Sequence, residues 1–451
     1  MSVRYYLDPF GCAKNQVDAE TMLGFLQEAR WVLVEDPVEA ELIIINSCGF
    51  IEQAKQESIN AVLMYRKTYP DKKIILAGCL AQRYAQELST ALPEVDLIFG
   101  NQDLAKITQA ALLALDAGET NGSCRVLVPR DHASGLEAGV SAPGRRPLLS
   151  LPGSAYVKIA EGCDNHCTFC AIPRIRGPLR SRPLSGIVDE CRELLDRGIT
   201  ELCLIGQDIG SYGTDRTRGS SELPQLLEAL SQMEGRFWVR MLYLHPDRFP
   251  FPILEIIRRD PRLLPYFDLP FQHSASKILR AMNRRGTGES YLALIQRIRE
   301  LLPDATIRST FLIGFPGETE RDFQNLLQFQ TQAQLDWVGC FTYSREEDTP
   351  AYSMKPRIPV GIAAARKGLI ETRQIPITEK QMDRFLGRTV EALVEGKVPA
   401  QTDQYLARLT CQAPEVDGLT LVRSATPLMP GTFITGNVCT RQGFDLELHL
   451  E

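Results

Sequence analysis

The sequence predicts an α/β protein with three domains: a parallel α/β domain, a partial barrel of six β/α units and a small all-β barrel. Three observations predict this division. Strand and helix patterns alternate over residues 1–117 and, after a segment rich in Gly, Pro and Ser at 118–153, alternate again over 154–383. Residues 384–451 show short β-rich runs between turns and no helical period. The segment 118–153 is therefore expected to be a linker, with one short strand at 125–128.

The N-terminal domain alternates strands and helices at the spacing that a parallel sheet requires. Apolar runs predict the strands, and apolar residues recurring every three to four positions predict the helices. The predicted strands are 3–7, 41–46, 73–77 and 95–99, and the predicted helices are 18–30, 50–68 and 81–91. Parallel strands need helical crossovers, so helices are expected to cover the sheet.

The central domain repeats a β/α unit six times. Its predicted strands are 155–160, 201–206, 237–244, 266–270, 306–314 and 337–343. A full barrel of eight units needs about 250 residues, so six units in this length predict a partial TIM-type barrel, (β/α)6. The last domain has predicted strands at 389–395, 405–409, 419–423 and 432–438.

Composition excludes several classes of protein. Of 451 residues, 44% are hydrophobic and 24% charged, which is typical of a globular chain rather than a disordered or fibrous one. The net charge of −6 disfavours a protein whose main task is to bind nucleic acid backbone. No apolar run approaches the ~20 residues that span a bilayer, and the N-terminus lacks a signal-peptide core. We expect a cytoplasmic protein, whose twelve cysteines stay reduced and serve metal binding or catalysis.

Three of these cysteines form a tight cluster in the loop after the first barrel strand. Cys163, Cys167 and Cys170 lie in the segment EGCDNHCTFC. Closely spaced thiolates bind several irons of one cluster, and three thiolates on a four-iron cluster leave one iron open for chemistry. The alternative is a structural zinc site with His166 or a distant residue as fourth ligand. Zinc ligands usually come as two short pairs, which disfavours that alternative.

A second set of cysteines is dispersed but occupies equivalent positions. Cys12, Cys48 and Cys79 each follow a predicted strand of the N-terminal sheet. Ligand sites of open α/β sheets lie beyond the carboxyl ends of the strands, so these thiols are expected to converge. The alternative is three unrelated buried cysteines, since a free cysteine packs as a small apolar residue. We favour a second, auxiliary 4Fe–4S cluster.

The Cys-x3-Cys-x2-Cys spacing resembles that of the radical S-adenosylmethionine superfamily. Together with the three dispersed cysteines and a last domain similar to TRAM domains, the whole chain resembles the methylthiotransferases. The resemblance implies two 4Fe–4S clusters and S-adenosylmethionine as cofactors. One S-adenosylmethionine methylates a sulfur on the auxiliary cluster, and another is reductively cleaved to a radical that activates the substrate carbon.

The resemblance also implies which residues bind S-adenosylmethionine. These are Phe169, Gly206, Gln207, Arg308, Ser309 and Gly314. The aromatic residue precedes the last cysteine of the cluster and is expected near the adenine. Gly206 and Gln207 follow the second barrel strand, and the remaining three residues lie on or after the fifth strand. His273, after the fourth strand, is expected to be structural or to hydrogen bond substrate.

Several segments resemble the branch that modifies an aspartate β-carbon in the twelfth protein of the small ribosomal subunit. They are GCAKNQVDAE, NSCGFIEQAK, AEGCDNHCTFCAIPRIRGPLRSRP, LIGQDIGSYG and YLHPDRFP. Ala13 departs from that branch, which usually has proline there. The alternative is the branch that modifies a tRNA adenosine, which has GCQMN-like and GQNVNSY-like segments instead. The implied partners are the ribosomal protein or the ribosome, an electron-donor protein and a sulfur source, with tRNA as the alternative substrate.

The charge of the last domain supports the same choice. From Arg384 to the end, six basic residues oppose eight acidic ones, a net charge of −2. A domain that binds tRNA should be basic, whereas an acidic one complements a basic ribosomal protein. The basic segment 174–182 could contact RNA or could be a solvated loop.

Overall fold

A computed structural model describes residues 2–116, 124–128, 146–217, 219–399, 401 and 403–450. Most of the predicted linker lies outside the described residues. None of the described helices is both long enough and apolar enough to cross a membrane.

The N-terminal domain is a parallel sheet covered by helices on both faces, as predicted. Its strands are β1 (Arg4–Pro9), β2 (Val32–Leu33), β3 (Leu42–Ser47), β4 (Lys73–Gly78), β5 (Leu97–Phe99) and β6 (Arg125–Leu127), in the order β2-β1-β3-β4-β5-β6. Its helices are α1 (Ala13–Glu28), α2 (Glu52–Thr68), α3 (Cys79–Arg83), α4 (Ala85–Ala91) and α5 (Ile107–Leu115). Two separate apolar clusters fill the space between the sheet and these helices.

Three details differ from the prediction. β6 is the short strand expected at 125–128, but it belongs to the N-terminal sheet, where it pairs in parallel with β5, and not to a linker. α1 begins five residues earlier than predicted, because its polar first turn has no apolar stripe to mark the helix. The predicted helix at 81–91 is two helices that meet at Tyr84, whose backbone leaves the helical region.

The central domain is an open parallel barrel. Its strands are β7 (Ser154–Lys158), β8 (Ala160–Glu161), β9 (Arg180–Ser181), β10 (Glu201–Ile205), β11 (Trp238–Met241), β12 (Leu263–Asp268), β13 (Thr306–Ile313) and β14 (Trp337–Thr342). Six of them form the wall in the order β7-β10-β11-β12-β13-β14, which confirms the predicted six-stranded barrel. β8 and β9 form a separate antiparallel ribbon at its carboxyl end.

The helices of the central domain lie mainly on the outside of this barrel, except that the first of them packs on the N-terminal domain. They are α6 (Ile172–Arg176), α7 (Leu184–Asp196), α8 (Leu223–Ser231), α9 (Pro252–Arg259), α10 (Ser276–Ala281), α11 (Gly288–Leu301), α12 (Glu320–Ala333) and α13 (Val360–Asp383). Alternate strand residues pack beneath these helices in the largest apolar cluster of the described chain. The other residues of each strand face the lumen.

The last domain is a closed five-stranded barrel, as its short β-rich runs predict. Its strands are β15 (Thr389–Lys397), β16 (Gln404–Leu409), β17 (Thr420–Arg423), β18 (Phe433–Gln442) and β19 (Asp445–Leu450). β19 was absent from the prediction and forms a hairpin with β18. This barrel packs on the amino ends of the central strands, where the Trp238 and Phe433 rings lie 4.8 Å apart.

Candidate metal centre

The first triple, Cys163, Cys167 and Cys170, lies in the loop between β8 and α6, at the carboxyl end of the central barrel. The backbone N–H of Cys170 donates to the Cys167 carbonyl at 3.0 Å, which folds the loop into a turn. The N–H of Thr168 donates to the Met282 carbonyl at 3.1 Å and fixes the turn to the end of α10. The three thiols therefore lie on one short loop, whose conformation is fixed by these two backbone hydrogen bonds.

The surroundings of the first triple favour metal binding over free thiolates. Burial raises the pKa of Cys163 to about 11, and burial and the neighbouring Cys167 raise the pKa of Cys170. Thiols of this kind ionise when a metal cation compensates their charge. Asn165 Nδ2 donates to Cys163 Sγ at 3.4 Å and to Asp208 Oδ2 at 2.8 Å, which links this loop to the segment after β10.

The second triple, Cys12, Cys48 and Cys79, meets at one edge of the N-terminal sheet. Cys12 precedes the first residue of α1, Cys48 follows β3 and Cys79 begins α3. A Cβ built on Gly11 would lie 3.1 Å from the Cys48 Cβ, and one on Gly49 would lie 2.8 Å from the Cys79 backbone. The three turns are thus in direct contact, and glycine is required where they touch.

The thiols of the second triple lie in different electrostatic surroundings. Burial raises the pKa of Cys79 to about 12, although the Arg176 guanidinium opposes this rise. For Cys12 the desolvation penalty is outweighed by the Lys14 and Arg176 charges, so its pKa is lowered. Cys79 Sγ also accepts a hydrogen bond from Asn101 Nδ2 at 3.4 Å.

A buried ionic network crosses the domain interface beside the second triple. Arg176, at the end of α6, donates from Nη2 to Asp18 at 2.8 Å, to Asn15 at 2.7 Å and to Cys79 Sγ at 3.3 Å. Lys158 Nζ lies 2.6 Å from the other Asp18 oxygen. The carboxyl ends of the two sheets therefore face each other. No local motif in the sequence indicates this network, because its members are remote from one another along the chain.

The basic segment 174–182 is largely internal rather than solvated. Arg176 is buried in the network just described. Arg182 is also buried and pairs with Glu190 at 2.5 Å. The expectation of a loop that contacts RNA or solvent fails at these two positions, because both guanidinium groups are used in packing.

The donor set fits iron–sulfur clusters. Each triple supplies three cysteine sulfurs, the ligand type that holds such clusters. In the part of the chain that the structure describes, no three Cys, His, Asp or Glu side chains could share a single metal ion.

Three of the residues expected to bind S-adenosylmethionine lie beside the first triple. Phe169 packs against the apolar cluster that contains Ile278 and Phe315. Gln207 donates to Glu161 at 3.3 Å, but its buried Oε1 has no hydrogen-bond partner. A Cβ on Gly206 would lie 3.6 Å from a strand carbonyl oxygen. An orphaned buried acceptor at this position suits a ligand with an amino group.

The three expected residues near the fifth strand have different surroundings. Arg308 faces the lumen and lies 3.4 Å from both Asp268 and Asp417. Ser309 lies on the opposite face of β13, where its hydroxyl donates to the Leu269 carbonyl at 2.7 Å. Ser309 thus packs within the wall, and its expected cofactor contact finds no support in this geometry. Gly314 has φ +76°, and a Cβ there would lie 2.7 Å from the Cβ of a residue on α13.

His273 has a structural role, which is one of the two roles expected for it. Its Nδ1 accepts hydrogen bonds from the backbone N–H groups of Ser274 and Ala275 at 2.9 and 3.0 Å. Burial lowers the pKa of His273 to about 4, so the ring is neutral at neutral pH. Its Nε2 faces Glu318 at 3.7 Å.

Comparisons with known proteins agree with this architecture. The radical SAM superfamily matches residues 157–329, the uncharacterized protein family UPF0004 matches 4–100 and the TRAM domain matches 386–448. The fold is similar to that of the radical S-adenosylmethionine methyltransferase TsrM from Kitasatospora setae, with a TM-score of 0.55 and 13% identity over 75% of this chain and 73% of that chain. The protein is a radical S-adenosylmethionine enzyme with a TRAM domain.

Full-length relatives define the family. The chain is 45% identical to a protein of Treponema denticola, over 98% of this chain and 99% of that one, and 42% identical to one of Moorella thermoacetica, over 96% of each. Both relatives are ribosomal protein uS12 methylthiotransferases, RimO. The chain belongs to this methylthiotransferase family.

Proposed function

We propose that this chain adds a methylthio group to the β-carbon of an aspartate in ribosomal protein uS12. The observation that carries the proposal is the convergence of two cysteine triples on one domain interface. One triple lies at the carboxyl end of the central barrel and the other at the carboxyl edge of the N-terminal sheet. The buried Arg176–Asp18 pair, at 2.8 Å, joins the two sheets at that interface. A substrate carbon bound at this interface would be close to both triples.

We further propose that each triple holds one 4Fe–4S cluster. The first triple would leave an iron open to S-adenosylmethionine, and the second would hold the auxiliary cluster. When bound, these groups supply the one-electron and sulfur chemistry that acid–base side chains lack. The chain's own residues orient and enclose them. Asn165 fixes Cys163 against Asp208, Gln207 Oε1 offers an acceptor to the bound cofactor, and Arg176 supports Cys79 from the opposite domain.

The last domain is better suited to a basic protein than to tRNA. Five of its six basic residues are engaged in ion pairs with carboxylates of the described chain. These are Arg384, Arg388, Arg408, Arg423 and Arg441. Side chains that are engaged in this way are poorly placed to neutralise phosphates. We therefore favour uS12, free or in the ribosome, over tRNA. The same chemistry requires an electron-donor protein and a sulfur source, and we place the reaction in the cytoplasm.

The test compares two substrates under anaerobic conditions. Reconstituted enzyme receives reductant, sulfide and S-adenosylmethionine, with purified uS12 and unmodified tRNA supplied in parallel. Intact-mass analysis should show a gain of one methylthio group on uS12. A gain on tRNA alone would contradict the proposed substrate while leaving the chemistry intact.

Cysteine variants test the assignment of the two clusters. Cys12→Ala should lower iron from about eight to about four atoms per chain. It should abolish methylthio transfer while 5′-deoxyadenosine is still released. The control is Cys439→Ala, which removes an exposed thiol from the last domain and should change neither quantity. Product formation by Cys12→Ala at the wild-type rate would refute the auxiliary cluster.

A further inference from the structure

Lys14 is a buried cation that has no carboxylate partner among the described residues. It is the second residue of α1, and its exposed fraction is 8%. No carboxylate of the described chain lies within 4.0 Å of its Nζ, whereas the equally buried Lys158 has carboxylate oxygens of Asp18 and Glu161 at 2.6 Å. A buried charge is normally paired, because its desolvation is costly. Since Lys158 has carboxylate partners and Lys14 has none, the partner of Lys14 is expected to be an anion from outside the described chain.

The side chain of Lys14 is held by an aromatic ring instead. Its Nζ lies 3.1 Å from the centroid of the Tyr243 ring. Such a contact orients an ammonium group without neutralising its charge. Tyr243 has φ +67°, which is uncommon for a residue with a side chain. Its backbone is fixed from both sides: its N–H donates to Asp268 at 3.2 Å, and its carbonyl accepts from Ile209 N–H at 3.0 Å.

This ammonium group lies where the two triples meet. α1 begins directly after Cys12 of the second triple, and Tyr243 follows β11 at the carboxyl end of the central barrel. An anion bound to Lys14 would therefore lie at the interface on which both triples converge. The substrate of the proposed reaction is an aspartate, whose carboxylate is bonded directly to the carbon that is modified.

We infer that Lys14 binds the side-chain carboxylate of the target aspartate and thereby selects aspartate over asparagine. This inference rests on the proposed function. The contact would place the β-carbon next to Cys12 and would pair the Lys14 charge on substrate binding. A competing role for Lys14 is to act as counter-charge to a metal centre at the second triple, and the experiment is designed to separate the two roles.

The experiment measures peptide binding to the reconstituted holoenzyme by fluorescence anisotropy. Two labelled peptides carry the uS12 target sequence, one with the target aspartate and one with asparagine in its place. Wild type should prefer the aspartate peptide by about 10- to 100-fold, as expected for a charge-assisted contact. Lys14→Met should bind both peptides with the affinity that wild type shows for the asparagine peptide. Lys14→Arg should keep a preference for aspartate.

Two controls and three outcomes make the test decisive. Lys67→Met removes an exposed lysine from the end of α2, at the opposite edge of the sheet, and should behave as wild type. Iron content and the visible spectrum of Lys14→Met should match wild type. A preserved aspartate preference in Lys14→Met would overturn the inference. Lost iron with equal weakening of both peptides would assign Lys14 to the metal centre. Failure of wild type to bind or modify the aspartate peptide, with tRNA modified instead, would overturn the proposed function itself.

Discussion

Replacing Glu201 with glutamine should weaken the attachment of the last domain to the central barrel. Glu201 is the first residue of β10 and is fully buried. Its carboxylate accepts hydrogen bonds from Arg240 at 2.7 Å, from Ser154 at 2.8 Å and from Arg408 of β16 at 2.5 Å. One carboxylate therefore pairs with two buried guanidinium groups from two domains.

The expected loss of folding stability in Glu201→Gln follows from the ionisation of this carboxyl group. Burial alone would raise the pKa of Glu201, but the Arg408 and Arg240 charges lower it from 4.5 to about 2. A tenfold change in an ionisation constant corresponds to about 1.4 kcal/mol, so this difference corresponds to about 3 kcal/mol. Since the folded pKa lies below the unfolded one, the stabilisation is complete above pH 4.5 and is lost as pH falls towards 2. Removal of one partner of a buried ion pair costs about 3–5 kcal/mol of stability, a range that agrees with the value from the pKa.

The assay is denaturant unfolding followed by tryptophan fluorescence. Trp238 packs on Phe433 of the last domain, so its emission reports on the contact between the barrels. Glu201→Gln should lose about 3 kcal/mol at pH 7, and the difference should shrink to about half by pH 3. The control is Glu255→Gln, which breaks an exposed pair with Arg258 and should leave the midpoint unchanged. Equal stability of Glu201→Gln and wild type at pH 7, or a loss independent of pH, would refute the reasoning.

Two further predictions concern the carboxyl end of the barrel. Gly314→Ala should lower the melting temperature, because φ is +76° and the new Cβ would lie 2.7 Å from the Ala363 Cβ; the left-handed backbone alone costs about 1–2 kcal/mol. Adding Ala363→Gly should restore only the part of the melting temperature that is lost to the clash with Ala363. Identical melting temperatures for the single and double variants would contradict this explanation. Wild type should lose about 3 kcal/mol of stability as pH falls from 6.5 to 4, because the pKa of His273 is lowered to about 4. His273→Asn, which can retain the acceptor without the titration, should lack this loss in calorimetry, and parallel curves for both proteins would disprove the assignment.

The sequence predicted those features that repeat along the chain. The six barrel strands were found because each is a short apolar run between turn residues, and a parallel order follows from their helical crossovers. The convergence of the second triple was predicted by the same logic, since Cys12, Cys48 and Cys79 each follow a strand. β19 was missed, although DLELHL alternates polar and apolar residues over six positions, because only two residues separate it from the preceding hairpin strand.

The sequence could not predict contacts between side chains that are far apart in the chain. Arg176 and Cys79 are 97 residues apart, and Lys158 and Asp18 are 140 residues apart. No period or local motif connects such pairs, because their contact depends on how two finished domains pack. The orientation of Ser309 was missed for a related reason. A strand alternates its side chains between two faces, and the face that a residue occupies depends on register with the neighbouring strands.

The two ends of the central barrel contact different domains and have different roles. At the amino ends of the strands, Glu201 binds a last domain whose arginines are all engaged in ion pairs, so this end contributes stability and offers phosphates few free cations. At the carboxyl ends, Arg176 and Lys158 bind Asp18 and hold the two cysteine triples at one interface. Lys14 is the buried cation of that interface that these carboxylates leave unpaired. Because the Arg176 and Lys158 charges are compensated by Asp18 and Glu161, Lys14 is the cation of this network with which an incoming carboxylate would pair.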